Sequence, residues 1–319
     1  MKLREIYAAF IAKGIEQDPR GKALVHRELR RVKDAFEKLS EEERKDFDQE
    51  RLENPYSDTR ILHGDPGLPV KSALVGIDID VGEVLLADRL REKGTPVDVI
   101  VSHHPGGRAL AGLYQVMAMQ TDITHLFGVP VTIAEHLMET RIAEVERKLL
   151  PANHTKTVDA ARLLDIPFFC VHTPADNHVA SYLQRLFDKK KPDTLAAILK
   201  LLKEIPEYQI ASRNSTGPKI VHGNPDSRAG KVFVDMTGGT EGSSEIFKSL
   251  AQAGVGTVVG MHLSEDHLKR ARQEHMNVII AGHISSDSLG LNLLFDTLGK
   301  KHALDIIGCS GFTRIRRDL

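Results

Sequence analysis

Three short apolar runs in this sequence each end in histidine or carboxylate side chains. They are Val97–Val101 before His103 and His104, Phe168–Val171 before His172 and Asp176, and Val278–Ala281 before His283 and Asp287. Imidazole and carboxylate groups without a thiolate are ligands that suit a divalent transition metal: zinc, iron, manganese or cobalt. The three clusters together predict a metal site assembled from distant parts of the chain.

The spacing within the clusters favours two metal ions. Neighbours on a strand point to opposite faces, so His103 and His104 are expected to serve different metals. His283 and Asp287 are four residues apart and would project to the same side of a helix. Asp176 is a carboxylate able to bridge two ions, and two metals about 3.5–4 Å apart can activate one shared water for hydrolysis. A lone His-His-Pro is more often part of a surface loop than a metal-ligand motif. Because three such clusters occur at predicted strand ends, the metal-site interpretation becomes about as well supported as the surface-loop interpretation.

A glycine-rich stretch is a weaker candidate for an anion site. Thr237, Gly238, Gly239 and Thr240 follow a predicted strand and precede a predicted helix, so their amides could cradle an anion or phosphate. The stretch lacks the lysine of a phosphate-binding loop, and a tight structural turn is an equal alternative. The sequence leaves two roles for His172: it could support a metal ligand from behind, or it could make a polar contact with the substrate.

The elements that must position these residues alternate between strands and helices. From about Leu74 onward, short apolar runs of strand length are followed by segments of helical periodicity. This alternation predicts an α/β fold with a largely parallel sheet, in which ligands bind beyond the carboxyl ends of the strands. A polar stretch at about 189–229 would separate two lobes.

The first 65 residues differ from the rest by being helical and highly charged. Leu3–Ile11 and the segment from Gly21 to Ser40 carry apolar residues at helical spacing, and Ser40 begins a capping-box pattern. Asn54–Pro69 is interpreted as a linker. We expect a helical extension that docks on the α/β core or on a neighbouring subunit and adds nothing to the metal clusters; the alternative is an arm that binds a partner.

Charge and composition exclude several classes of protein. The 319 residues contain 43 Lys+Arg and 44 Asp+Glu, so the net charge of -1 argues against broad binding to nucleic acid or to membranes. Cys170 and Cys309 are the two cysteines, too few for a disulfide framework. No apolar run approaches the roughly 18–20 residues that span a bilayer. Met1–Glu5 carries no sign of a signal peptide, and we expect a cytoplasmic protein.

The order of these motifs resembles the Nif-three-like family (NGG-one interacting factor three). The resemblance covers roughly residues 70–319 and rests on four motifs: strand–His-His-Pro, His-Thr-x-x-Asp, Thr-Gly-Gly before a helix, and Gly-His-x-x-Ser-acid. It implies a two-lobed α/β core over 66–319, metals in the cleft between the lobes, and a ring-like homohexamer. The family's metal ligands fall on His103, His104, Asp176, His283 and Asp287.

The resemblance also implies a reaction. Family members carry names such as GTP cyclohydrolase 1 type 2 homologue and dinuclear metal centre protein, which implies a metal-dependent hydrolase acting on a nucleotide. Opening the imidazole ring of GTP needs a general acid, for which His172 and His178 are candidates, and a triphosphate site, for which Thr237–Thr240 is the candidate. The alternative, which the family's name suggests, is a metal-binding oligomeric scaffold or regulatory protein without turnover.

One departure from the family pattern gives a prediction. The family usually has Glu where this chain has Asp287, and the shorter Asp requires closer approach of its helix or holds one metal less tightly. We predict that Asp287→Glu keeps or strengthens metal binding, because it adds reach at unchanged charge, whereas Asp287→Ala weakens it. Titration of metal into the apo forms measures both, and an Ala variant that binds as tightly as wild type would exclude Asp287 as a ligand.

Overall fold

The computed structural model describes residues 1–299 and 302–317, which form a mixed α/β protein. The strands are β1 (Arg60–His63), β2 (Ser72–Gly76), β3 (Val99–Ser102), β4 (Phe168–Cys170), β5 (Lys219–His222), β6 (Lys231–Asp235), β7 (Val255–Gly260), β8 (Asn277–Ile280) and β9 (Asp305–Cys309). The helices are α1 (Leu3–Gln17), α2 (Lys22–Glu37), α3 (Glu41–Asp46), α4 (Val81–Glu92), α5 (Gly107–Ala111), α6 (Leu113–Val116), α7 (Met119–Leu126), α8 (Val131–Leu149), α9 (Lys156–Leu163), α10 (Thr173–Lys190), α11 (Leu195–Lys203), α12 (Pro206–Arg213), α13 (Ile246–Gln252), α14 (Glu265–Gln273) and α15 (His283–Asp296). None of these helices is both long and apolar enough to cross a membrane.

The strands form two sheets that are parallel except at one edge. The first sheet has the order β1-β4-β3-β2-β9 and the second the order β5-β8-β7-β6. The antiparallel members are β1, which pairs with β4, and β5, which pairs with β8. Strands β2, β3 and β4 are buried along their whole length, as expected of a parallel sheet covered on both faces. The predicted α/β fold with largely parallel sheets is confirmed.

The two sheets are two copies of one arrangement. The orders β1-β4-β3-β2 and β5-β8-β7-β6 coincide strand for strand, and β9 extends the first. The sequence repeats at the edge strands, since Arg60-Ile-Leu-His-Gly64 corresponds to Lys219-Ile-Val-His-Gly223. Gly64 and Gly223 have φ of +107° and +104°, a left-handed conformation that favours glycine. Helix α10 after β4 therefore corresponds to α15 after β8.

Helices α10 and α15 pack tightly against each other, which brings the two copies together. A Cβ added to Gly290 of α15 would lie 2.5 Å from the carbonyl oxygen of Ala175 in α10. Only glycine permits so close an approach. The start of α10 is buried and carries Asp176 in its first turn, and the buried part of α15, which begins at Ser285, carries Asp287.

The N-terminal helix is part of the main hydrophobic core. Leu3, Ile6 and Phe10 of α1 are fully buried, and the ring of Phe10 lies edge-on to Phe295 with centroids 5.1 Å apart. Helix α2, by contrast, buries only Val25. The first helix is therefore covered by the α/β core of the same chain.

The linker interpretation of Asn54–Pro69 is wrong. This stretch contains β1, which pairs with β4 and completes the edge of the first sheet. Its residues Tyr56, Asp58 and Arg60 are buried, and the Arg60 guanidinium donates to Asp48 at 2.7 Å. Turn-forming Pro and Gly residues flank a strand here, so composition alone was misleading. The polar stretch 189–229 contains α11, α12 and β5, and its role as the connection between two lobes stays a prediction.

The buried position of α1 gives a stability prediction. Phe10→Ala should lower the free energy of unfolding by about 3–5 kcal/mol, because it removes a large side chain from a packed core. Phe36→Ala on α2 is the matched control; its ring packs on Phe47 near the surface, and we expect a loss of about 1 kcal/mol. Denaturant unfolding measures both, and equal losses would contradict the placement of α1 in the core.

Candidate metal centre

His103 and His104 directly follow β3 and continue its pairing with the end of β2. Their backbone amides donate to the carbonyl oxygens of Gly76 and Ile77, each at 2.9 Å. The two rings face different surroundings, since the side chain of His103 is 1% exposed and that of His104 is 27% exposed. The alternation expected at a strand end therefore separates a buried imidazole from a partly open one.

Asp287 lies at the centre of the histidine cluster. Its Oδ1 is 3.5 Å from Nε2 of His103, and its Oδ2 is 3.4 Å from Nε2 of His104 and 3.6 Å from Nε2 of His283. Asp176 approaches from the other helix, with Oδ1 3.3 Å from Nε2 of His103. Asp287 thus has one oxygen on each side, which makes it the better candidate for a bridging carboxylate than Asp176.

The clustered atoms form three overlapping groups whose ligand atoms lie within 4.8 Å of one another. The groups are His103, Asp176 and Asp287; His104, His283 and Asp287; and His103, His104 and His172. Four side-chain atoms in the cluster are buried without a hydrogen-bond partner, namely Nε2 of His103, Oδ1 of Asp176 and both carboxylate oxygens of Asp287. Buried polar atoms are nearly always paired, and buried charges are paired or coordinate metals. The residues present fit a divalent cation.

The electrostatics of the cluster keep its central carboxylate ionised. Burial raises the pKa of Asp287, but the neighbouring His103, His104 and His283 outweigh this and hold the pKa far below its usual range. Burial lowers the pKa of His103, yet the carboxylates of Asp287 and Asp176 raise it to about 10. Both shifts describe buried negative charge that is balanced by a neighbouring positive charge, a role that a metal ion can fill.

His172 joins the cluster through a partner that the sequence analysis missed. Its Nδ1 is 2.8 Å from Oδ2 of Asp58, its Nε2 is 3.7 Å from Oδ2 of Asp176, and its ring centroid is 4.8 Å from that of His103. Asp58 lies in the misassigned linker. None of the grouped ligand atoms comes from the first 65 residues, as expected, but Asp58 of that segment bonds directly to His172 and so supports the cluster.

Asp78 is a second missed partner. Its Oδ1 is 2.7 Å from Nδ1 of His104. Asp78 comes just after β2, at the same sheet edge as the histidines, and a carboxylate after a buried strand is the signal that could have identified it.

His178 does not join the cluster. Burial lowers the pKa of His178 to about 4. The charged groups that act on it are Arg185 of α10 and Lys13 and Glu16 of α1, and none of them belongs to the cluster. His178 is two residues from Asp176, and a helix turns through more than half a circle over two residues. The structure thus does not support His178 as an acid or base at this site.

A cleft with a volume of about 70 Å³ borders the cluster. Thr237, Gly239 and Thr240 line it together with Asp287, so the glycine-rich stretch does lie at the site. The Gln120 side chain holds this stretch in place by donating to the carbonyl oxygens of Gly238 and Thr240, each at 2.7 Å.

The charges that line the cleft are unfavourable for an anion. Glu241 and Asp235 contribute carboxylates, and the described lining contains no Lys or Arg. His262 also faces the cleft, with Nδ1 3.2 Å from Oε1 of Glu241 and its ring centroid 4.8 Å from that of His283. The proposed phosphate cradle therefore has amides but, in the described lining, no Lys or Arg side chain beside it.

The fold of this chain is similar to that of several solved structures. The chain is similar to a NIF3 superfamily protein from Sphaerobacter thermophilus, with 26% identity over 80% of this chain and 91% of that chain and a TM-score of 0.69. More distant likenesses are reduced HcgD from Methanocaldococcus jannaschii (16% identity, 78% and 87% covered, TM-score 0.49) and a Bacillus cereus protein related to NIF3 (13%, 78% and 90%, TM-score 0.40). No family model and no curated protein matches the chain.

The unpaired buried atoms give a prediction about metal content. His103→Ala should lower the bound transition metal relative to wild type, because it removes a ligand from the most buried group. His136→Ala is the matched control, since His136 is an exposed histidine on α8. Elemental analysis of the purified proteins is the measurement. Equal metal content in wild type and His103→Ala would refute the assignment of this cluster as the metal centre.

Proposed function

The chain is a NIF3-like protein, and from that assignment we propose that it is a metal-dependent hydrolase with two divalent transition-metal ions per chain. The ligands would be those that the family resemblance implies. They are His103, His104, Asp176, His283 and Asp287. Zinc, iron, manganese and cobalt all suit this set of nitrogen and oxygen donors.

The observation that carries the proposal is the unpaired state of the buried polar atoms around Asp287. A buried carboxylate with neither oxygen hydrogen-bonded is costly unless a cation lies beside it. Asp287 directs one oxygen toward His103 and the other toward His104 and His283. Its position supports two ions that share this one carboxylate.

The chemistry that metal ions supply at such a site is activation of a bound water as a nucleophile near neutral pH. The chain's own residues would form the walls around it. His104 and His283 are 27% and 40% exposed, so the cluster opens toward the cleft on their side. His262, which contacts Glu241, lines the cleft beside His283 and could contact a substrate.

The cleft supports an uncharged or cationic substrate better than a nucleoside triphosphate. Asp235 and Glu241 repel an anion, and the described lining carries no Lys or Arg to offset them. A triphosphate would have to rely on the metals and on the amides near Thr237. GTP cyclohydrolase activity therefore remains an implication of the resemblance that the cleft does not favour.

The openness of the cluster distinguishes an enzyme from a scaffold. A metal held only to organise structure is usually enclosed by protein ligands, whereas a catalytic metal keeps an open position. The partial exposure of His104 and His283 favours the enzyme. The homohexamer stays a prediction, for which sedimentation velocity is the test.

We predict that hydrolysis is lost on chelation and restored by manganese, zinc, iron or cobalt. The assay is turnover across uncharged esters and amides, phosphoesters and nucleotides, including GTP, before and after metal removal. Asp287→Ala should be inactive at metal concentrations that saturate wild type, and His136→Ala should retain full activity. Activity that survives chelation, with metal loss confirmed by elemental analysis, would refute metal catalysis.

A further inference from the structure

We infer that the two metal positions are unequal, and that Asp58 makes His172 a ligand of the more buried one. The inner position would be held by His103, Asp176 and one oxygen of Asp287, which form one group, and His172 would join as the fourth ligand through its closeness to His103 and Asp176. The outer position has three, His104, His283 and the other oxygen of Asp287, and is open to the cleft. This inference rests on the proposed function for the presence of two ions.

The hydrogen bond from Asp58 determines which nitrogen of His172 faces the cluster. An ionised carboxylate can only accept, so Nδ1 of His172 must donate its proton to Oδ2 of Asp58 across 2.8 Å. In the neutral ring, Nε2 then carries the free lone pair, and Nε2 is the nitrogen nearest Asp176, at 3.7 Å from Oδ2. A carboxylate that fixes the tautomer and orientation of an imidazole is the usual support of a metal-bound histidine.

The repeat in the fold supports the same role. His172 and Asp176 lie four residues apart at the start of α10, and His283 and Asp287 lie four apart at the start of α15. The two helices follow corresponding strands, β4 and β8. Each copy therefore presents one His-x-x-x-Asp pair to the shared cluster, and β3 supplies one histidine for each pair. His172 corresponds to His283, whose Nε2 lies 3.6 Å from Oδ2 of Asp287, much as Nε2 of His172 lies 3.7 Å from Oδ2 of Asp176.

Burial makes the two positions different. The side chains of His103, His172 and Asp176 are 1%, 8% and 6% exposed, whereas those of His104 and His283 are 27% and 40% exposed. Four buried ligands describe a closed position, and three ligands with solvent access describe an open one. The inner ion should bind more tightly and exchange more slowly than the outer ion.

Asp58 is a positioning residue in this arrangement. It is fully buried, and its Oδ2 also accepts a hydrogen bond from the hydroxyl of Thr173 at 2.6 Å. The corresponding place in the second copy, two residues before β5, is Gly217, so His283 has no such support from its edge strand. The asymmetry between the two positions therefore originates in the N-terminal segment.

The test is a titration of the full-length apo protein with Co²⁺, followed by visible absorption and by equilibrium dialysis. Wild type should bind two ions in two resolved steps. His172→Ala should lose the tighter step and its absorption bands, and His283→Ala should lose only the weaker step. Asp58→Ala should weaken the tighter step about 10- to 100-fold, as is typical when the partner of a metal-bound histidine is removed.

Further variants separate positioning from folding. Asp58→Asn keeps an oxygen that can accept the Nδ1 proton and should recover part of the lost affinity. If Asp58→Ala does not fold, as judged by circular dichroism and thermal melting, Asp58→Asn against wild type decides, with an expected loss of affinity confined to the tighter step. His136→Ala should bind as wild type does.

The outcomes distinguish this inference from the proposed function. Two ions bound by wild type, with His172→Ala unchanged in both steps and in absorption, would overturn the role of His172 and leave a dinuclear centre intact. An unchanged tighter step in folded Asp58 variants would overturn the role of Asp58. No Co²⁺ bound by wild type at all would overturn both the inference and the proposed function.

Discussion

The contact between helices α10 and α15 is the constraint on which the rest of the site depends. The helices approach so closely that Gly290 faces the backbone of Ala175 with no room for a side chain. This packing places Asp176 and Asp287, which are far apart in sequence, within the same buried cluster. Two buried carboxylates repel each other, and their proximity is tolerable only because positive charge accompanies them, as protons on imidazoles or as metal ions. The hydrophobic packing of the helices thus maintains an electrostatic arrangement that would not assemble by itself.

The repeated arrangement of the two sheets explains why the cluster contains two His-x-x-x-Asp pairs. The N-terminal segment explains why the surroundings of the two pairs differ. In each copy of the fold, a parallel strand is followed by a His-x-x-x-Asp pair at the start of a helix. The shared contact between copies then brings the pairs together with the two histidines after β3. The first copy is covered by α1 and by the turn before β1, which contributes Asp58, whereas the second copy leaves His283 half-exposed beside the cleft. The His172/Asp176 pair is therefore buried, whereas His283 of the other pair is open to the cleft.

The side chains that line the cleft also affect which charges a ligand can carry. Its walls carry Glu241 and Asp235, and Gln120 holds the glycine-rich stretch by its carbonyl oxygens. Bound metal ions would supply the positive charge at one end, and acidic side chains would repel anions at the other. Under the proposed function, such a gradient would favour a substrate whose reacting group is polar and whose remainder is neutral or cationic.

The sequence by itself determined the chemistry of the site, and the tertiary structure decided its arrangement. Histidines and acids after short apolar runs are a local pattern, so His103, His104, Asp176, His283 and Asp287 could be found from spacing and resemblance, as could the α/β class. Asp58 could not, because its partner His172 is more than a hundred residues away and the turn residues around β1 concealed a strand. The central place of Asp287 likewise follows from the packing of α10 on α15, which depends on shape across the whole core. Local periodicity encodes which groups are present, whereas long-range packing decides which of them meet.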